Sequence, residues 1–328
     1  MDGMSRKREK RKKSGLKRLL VFVLVFLAVI LGGWYFLLGK LYSKMTYEEA
    51  ESFTDKPWKE EGVVNLLLIG SDSRENVEGS RSDAMILLTI SSKTKTIHMT
   101  SLLRDIYVDI PGREGNRLNA AYAFGGAELL LETVNENFDV AVNRYMLVDF
   151  EAFANLVDGV GGVDLALTGP ELEYVNAYLV EYNMINGRPE GTDYMETSAE
   201  GQVHLNGPQA LAYSRNRYIG TDFGRTERQR KVLSEVIKKA PGALLKNPAE
   251  LMEGLLPNLT TNLTKEECFQ LSLQAGSFVL WDLEQGSVPL EGTYQPADIR
   301  GMSVLEVDFE KNREYLREIM YGKQSDTE

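Results

Sequence analysis

The chain has 328 residues, with 37 Lys and Arg against 48 Asp and Glu, a formal net charge of −11, two histidines and a single cysteine, Cys268. One cysteine excludes an internal disulfide, two histidines leave zinc short of ligands, and the acidic bulk argues against nucleic acid as a partner. The charge is uneven, because residues 1–18 hold nine Lys/Arg and two Asp/Glu, so residues 19–328 carry a net −18.

Such asymmetry implies that tail and body face different surroundings. Between them Leu19 to Leu38, LLVFVLVFLAVILGGWYFLL, is apolar throughout. A helix needs about 20 such residues to cross the hydrocarbon core of a bilayer. Trp34 and Tyr35 near its far end suit the interface, and the basic tail should remain cytoplasmic, which puts everything after Leu38 outside. No small-x-small cleavage site follows, only GKLYSKM, so the span is expected to persist as an anchor. Residues 39–62 are polar and poorly periodic and read as a stalk. Residues 63–328 then form one extracytoplasmic domain.

VVNLLLIG (63–70) is a nearly continuous apolar run, the pattern of a strand buried on both faces. AMILLTISS (84–92) and TIHMTSLL (96–103) are further strands, separated by the turn-like KTK. AELLLETVNENF reads as a helix, RYMLVDF as a strand, EAFANLVDGVGG as a helix stopped by glycine, VDLAL as a strand and PELEYVNAYLVEYNMI as a helix. Helices are expected near 207–216, 224–240, 248–256, 265–280 and 309–321. Strands alternating with helices predict an α/β/α layered domain with a central mixed β-sheet.

If the first three strands run up, down and up, Asp72, Arg74, Arg81, Asp83, Arg104 and Asp105 gather at one end of the sheet, where open α/β sheets characteristically bind ligands. A second cluster lies in SRNRYIGTDFGRTERQRK (214–231), which holds five arginines. In the helix at 224–240 the apolar stripe is Val232, Leu233, Val236 and Ile237. Extending it backwards reaches Gln229, Arg228 and Arg225, which should point inward, while Arg230 falls beside Glu227, Lys231, Ser234 and Lys238 on the solvated face. Inward arginines need anionic partners, and a helix N-terminus itself favours an anion. Arginine is suited to bidentate phosphate contacts. With Arg215 and Arg217 added, the number of guanidiniums suits a pyrophosphate. A pyrophosphate among carboxylates implies Mg2+, for which Asp72 and Asp83 are the candidate ligands. No GxSxG, HExxH or GxxxxGK[ST] motif occurs. His98 lies inside a strand pattern and reads as a packed, satisfied side chain.

The ordered set LLLIGSDSR, RSDAMILLTI, LLRDIYVDIPG, RLNAAYAFGG, VDGVGGVD, HLNGPQALAYSRNRY and DFGRTERQR resembles the LytR-CpsA-Psr family of bacterial cell-envelope enzymes. The resemblance runs from about Asn65 to Leu233, and Leu103 stands where the family often has proline. It implies a membrane-anchored phosphotransferase that moves a phosphoglycopolymer from undecaprenyl pyrophosphate onto peptidoglycan. It further implies that Arg81, Arg104, Arg215, Arg217, Arg225 and Gln229 hold the pyrophosphate, that Asp72 and Asp83 serve Mg2+, and that Asp222 belongs to the site. Asp83 and Asp222 both remain open as the general base, with Arg104 at the reacting phosphate. The competing readings are a non-catalytic envelope-binding or regulatory protein and a polyprenyl-pyrophosphate hydrolase.

Overall fold

The computed structural model describes residues 29, 31–49, 58–71, 82–246 and 256–323, with Asp83, Leu244 and Leu245 described by backbone alone. Asp72, Arg74, Arg81, most of the segment expected as a helix at 248–256 and the first part of the expected membrane span lie outside these residues. Residues 31–42 are helical. No helix among the described residues is long and apolar enough to cross a membrane.

In chain order, β1 (Thr46–Tyr47), β2 (Lys59–Glu60), β3 (Val63–Ser71), β4 (Ser82–Ser91) and β5 (Thr96–Leu102) precede a small hairpin, β6 (Tyr107–Val108) and β7 (Asn116–Arg117). Helix α1 (Leu118–Phe138), β8 (Tyr145–Val148), α2 (Phe150–Gly159), β9 (Val163–Leu167) and α3 (Gly169–Ile185) follow. Then come β10 (Gly201–Leu205), α4 (Gly207–Arg215), α5 (Asp222–Lys246), β11 (Leu259–Thr261) and α6 (Lys265–Phe278). The chain finishes with β12 (Asp282–Val288), β13 (Tyr294–Ile299), β14 (Met302–Val307) and α7 (Phe309–Tyr321).

The main sheet is mixed, in the order β1-β11-β8-β3-β4-β5-β12, with β2 paired to β3. The β3–β4 and β4–β5 pairs are antiparallel and β3–β8 and β5–β12 parallel. The up, down, up order expected for the first three strands is therefore present. The end of β3, the start of β4 and the end of β5 share one edge. Within the segment expected as a stalk, β1 and β2 both join this sheet.

Two apolar cores hold the layers together. On one face of the sheet, Leu67, Ile69, Met85 and Leu87 pack with Leu130, Leu131 and Phe138 of α1 and Leu316 and Met320 of α7. Side chains alternate along a strand, so this set faces α1 and α7 and the intervening residues face the opposite layer. Residues Gly125 and Gly126 break α1, and Gly126 has φ +65°, a conformation that glycine adopts without the steric cost of a Cβ. The second core joins α2, α3, α4, the antiparallel β9–β10 pair and Val232 and Val236 of α5. VDLAL is thus a strand as expected, but it pairs only with β10, away from the main sheet.

Candidate active site

Leu103 is buried, and its backbone N–H donates to Val288 O of β12 at 2.9 Å, which fixes the turn leaving β5. Arg104 and Asp105 follow at that sheet end. Arg104 donates from Nε to Asp105 Oδ2 at 3.3 Å and from Nη2 to Asp222 Oδ2 at 3.4 Å. Arg117, at the entry to α1, reaches Asp105 Oδ1 at 3.4 Å. One turn into α5, Arg225 places Nη2 3.1 Å from Asp222 Oδ1 although its side chain is almost wholly buried. Three guanidiniums thus surround two carboxylates. Burial pushes the Asp105 carboxyl above its ordinary range; Arg104 and Arg117 oppose this, whereas a hydrogen bond and repulsion from Asp222 reinforce it. Arg117 Nε is buried with no hydrogen-bond partner among the described residues, a donor free to meet an anion.

The structure therefore brings together Arg104, Asp222 and Arg225 from the expected set. Asp105 is expected at this sheet end without a role of its own, and Arg117 is not among the expected site residues. Asp105 lies beside Arg104 in LLRDIYVDIPG, and Arg117 opens RLNAAYAFGG, so both stood inside segments already singled out. Their pairing across 12 positions of sequence needed the β6–β7 hairpin, whose short strands carry no periodic signal.

Arg215 sits apart from this contact network. Its guanidinium lies 3.8 Å from the Phe150 ring centroid and 5.5 Å from that of Tyr178, and it donates to Tyr178 Oη at 3.3 Å. Cation–π contacts of this kind hold an arginine flat against the ring. It lines a groove of about 430 Å3 together with Ser71, the last residue of β3, and Tyr178 and Tyr182 of α3. Arg217 is exposed on the loop before α5, and Gln229 is half-buried with Oε1 unpartnered.

Arg228 points inward as expected, but its partners are protein groups. It donates to Glu171 Oε1 of α3 at 2.9 Å, to Ile219 O at 2.7 Å and to Asn216 O at 3.4 Å. It staples the loop between α4 and α5 to α3. Arg230 corrects the solvated placement: it is 7% exposed and donates from Nη1 to Ser101 Oγ of β5 at 2.6 Å.

Asp72 and Arg81 lie outside the described residues. The backbone of Asp83 occupies a β-bulge, because Gly70 pairs with Ala84 and Ser71 with Ser82. Such bulges re-aim a strand locally and recur beside active sites. Among the described residues no group of three or more His, Cys, Asp and Glu could hold a metal. His98 is buried, with Nδ1 3.1 Å from Thr100 Oγ1, as its place in a strand implies.

Comparison with known proteins fits this geometry. The polyisoprenyl-teichoic acid–peptidoglycan teichoic acid transferase TagU of Bacillus cereus (strain AH820) is 32% identical over 270 residues, which span 78% of this chain and 82% of that protein. The crystal structure of B. subtilis TagT superposes with a TM-score of 0.62 at 24% identity, covering 84% of this chain and 97% of TagT. TagT with bound octaprenyl pyrophosphate lipid gives a TM-score of 0.59 at 23% identity, covering 83% and 97%. The LytR_cpsA_psr family matches residues 36–319. The chain is a member of the LytR_cpsA_psr family.

Proposed function

We propose that this protein transfers a phosphoglycopolymer of the teichoic-acid type from undecaprenyl pyrophosphate to peptidoglycan, on the outer face of a membrane in which residues 19–38 anchor it. The observation that carries the reading is the convergence of Arg104, Arg117 and Arg225 on Asp105 and Asp222 at the end of the central sheet. Its enzyme class follows from the family, whose curated relatives are named as transferases. A TagT structure with octaprenyl pyrophosphate supports a lipid pyrophosphate as donor.

In this reading the guanidiniums take the diphosphate in place of the carboxylates, and they offset the charge that develops on the leaving phosphate. A peptidoglycan hydroxyl attacks the polymer-proximal phosphorus, and undecaprenyl phosphate leaves. Asp222 lies within reach of both Arg104 and Arg225, so it stands beside the phosphates that those guanidiniums would hold. That makes it the base we favour over Asp83. Mg2+ is assigned to Asp72, which follows Ser71 directly, and to Asp83, as the family resemblance implies; carboxylate and phosphate oxygens are the donors that ion prefers. When bound, it would neutralise charge on the diphosphate.

The test is transfer from a lipid-pyrophosphate-linked glycopolymer to peptidoglycan by the full chain, with Mg2+ added or chelated. Product should appear only with metal, and Asp83→Ala should abolish it while the fold persists. Donor binding without metal-dependent turnover would instead make the protein a binding module. Polymer released to water, unlinked to peptidoglycan, would make it a hydrolase.

A further inference from the structure

The helix at residues 31–42 and α6 lie side by side in opposite directions. Tyr42 Oη donates to Leu263 O at 2.8 Å, Tyr35 Oη to Glu266 Oε1 at 2.9 Å, and Trp34 Nε1 to Ser272 Oγ at 3.0 Å. The Tyr35 ring also meets Phe269 edge-on, with centroids 5.1 Å apart. As one helix is followed back toward Val29, the other is followed forward toward Phe278. At 1.5 Å per residue, Phe278 lies about 9 Å beyond the level of Trp34.

This far end of α6 is unlike the near end. Lys265, Glu266 and Glu267 open the helix, and Glu267 is tied to Arg144 by two contacts of 2.7 and 2.8 Å. From Cys268 to Trp281 there is no charged side chain. Ser272 Oγ donates to Phe269 O and Ser277 Oγ to Gln274 O, both at 2.7 Å, while Gln274 Nε2 donates to Gln270 O at 3.3 Å. Ser272, Ser277 and Gln274 therefore find partners on their own helix, which lowers the cost of hydrocarbon surroundings. Leu273, Val279 and Leu280 are 52%, 65% and 86% exposed, beside Val29 and Leu31 at 67% and 45%. The Trp281 ring meets that of Phe278 at a tilt, with centroids 5.1 Å apart, and stands next to Asp282, the position of an interfacial anchor.

We propose that Phe278–Trp281, with Leu273, dips into the lipid bilayer beside the anchor helix, so that α6 is a second membrane contact. The inference rests on the reading of residues 19–38 as a membrane span. Lipid is the occupant because the patch continues an apolar helix, lacks charge from Cys268 to Trp281 and turns its serine hydroxyls onto its own backbone. The contact places β12, which begins at Asp282, nearest the bilayer.

The chain has three tryptophans, Trp34, Trp58 and Trp281, which allows each level to be read alone. The full chain carrying W34F and W58F, reconstituted in phosphatidylglycerol and phosphatidylcholine vesicles, reports Trp281. The W58F and W281F chain reports Trp34. Bromine-labelled lipid should quench most of the fluorescence from both, and aqueous acrylamide little of it. Adding Leu280→Glu should return Trp281 to acrylamide. If bromolipid quenches Trp34 and leaves Trp281 untouched, the α6 contact is wrong while the anchor stands. If Trp281 is shielded from both quenchers, a protein partner covers the patch and the proposal fails. If neither tryptophan meets bromolipid, the membrane span itself has failed.

Discussion

Arg230 crosses from α5 to β5 and donates to the Ser101 hydroxyl at 2.6 Å. Burial lowers its pKa below the usual guanidinium range, with Glu227 and Tyr315 opposing the shift. A buried charge held by one hydroxyl is costly, and apolar replacement of similar length is often neutral. Arg230→Ala should destabilise the fold by about 1–3 kcal/mol through the cavity it leaves, whereas Arg230→Met should lose much less. Neither should alter affinity for a polyprenyl pyrophosphate. Urea unfolding alongside donor binding separates the two effects, and an affinity loss in Arg230→Met would move this residue into the site.

Arg225 is expected to behave in the opposite way. Its contact with Asp222 at 3.1 Å holds it in the anion cluster. A charged hydrogen bond is worth about 1.5–3 kcal/mol, so Arg225→Ala should weaken donor binding by about 10- to 150-fold. Lysine at 225 should restore little, because a point charge cannot reproduce the planar fork. Equilibrium binding of a short-chain prenyl pyrophosphate to the three proteins is the check.

The Arg228–Glu171 pair should matter for stability before it matters for activity. Removing one partner of a buried pair typically costs about 3–5 kcal/mol, and here Arg228→Ala also frees the carbonyls of Asn216 and Ile219. Burial tends to raise the Glu171 carboxyl, but the Thr168 backbone and Arg228 outweigh it and leave the pKa lowered. The stability that Glu171 contributes is therefore full above the ordinary glutamate range and is lost as pH falls through the lower folded value. Glu171→Gln should be less stable at neutral pH and show a flatter acid limb in a pH series of unfolding midpoints.

His98 gives a second pH window. Burial, helped by Arg230, pulls its pKa from 6.5 to about 4. Between those values the unfolded chain binds a proton that the folded chain refuses, so stability falls on acidification through this range, by about 3 kcal/mol in total. His98→Gln should remove most of that slope. Unfolding midpoints at pH 7 and near pH 4 for the two proteins decide it; parallel slopes would overturn the assignment.

Much of the sheet end could be read from the sequence, because β3, β4 and β5 are dense apolar runs set off by polar turns, and their alternation forces Arg104 toward the end of β3. The phase of α5 was readable at Arg225 and Arg228 and misleading at Arg230. A single buried stripe had been assumed, yet α5 packs on two sides. Val232 and Val236 enter the second core, while Arg230 and Ser234, one turn apart, are buried at 7% and 5%. Glu227, Lys231 and Lys238 keep a solvated strip. Which strands pair is a long-range matter that local alternation does not encode, hence the separate β9–β10 pair, closed across α3. Arg117 reaches the cluster by the same kind of long-range closure.

The staple formed by Arg228 also has an entropic meaning. Fixing the backbone of one residue costs about 1–2 kcal/mol at room temperature. The loop from Asn216 to Thr221 is held at both ends of that guanidinium's reach, and the Asn216 side chain accepts from Tyr218 N and Ile219 N at 3.0 and 3.1 Å. Arg217, Tyr218 and Thr221 nonetheless face water, with Tyr218 87% exposed. The ordering has been done during folding, so an arriving phosphate meets Arg217 and Asp222 on a backbone that has little freedom left to lose. Association at this loop is then limited by desolvation of charge, and its affinity should respond to salt far more steeply than to temperature.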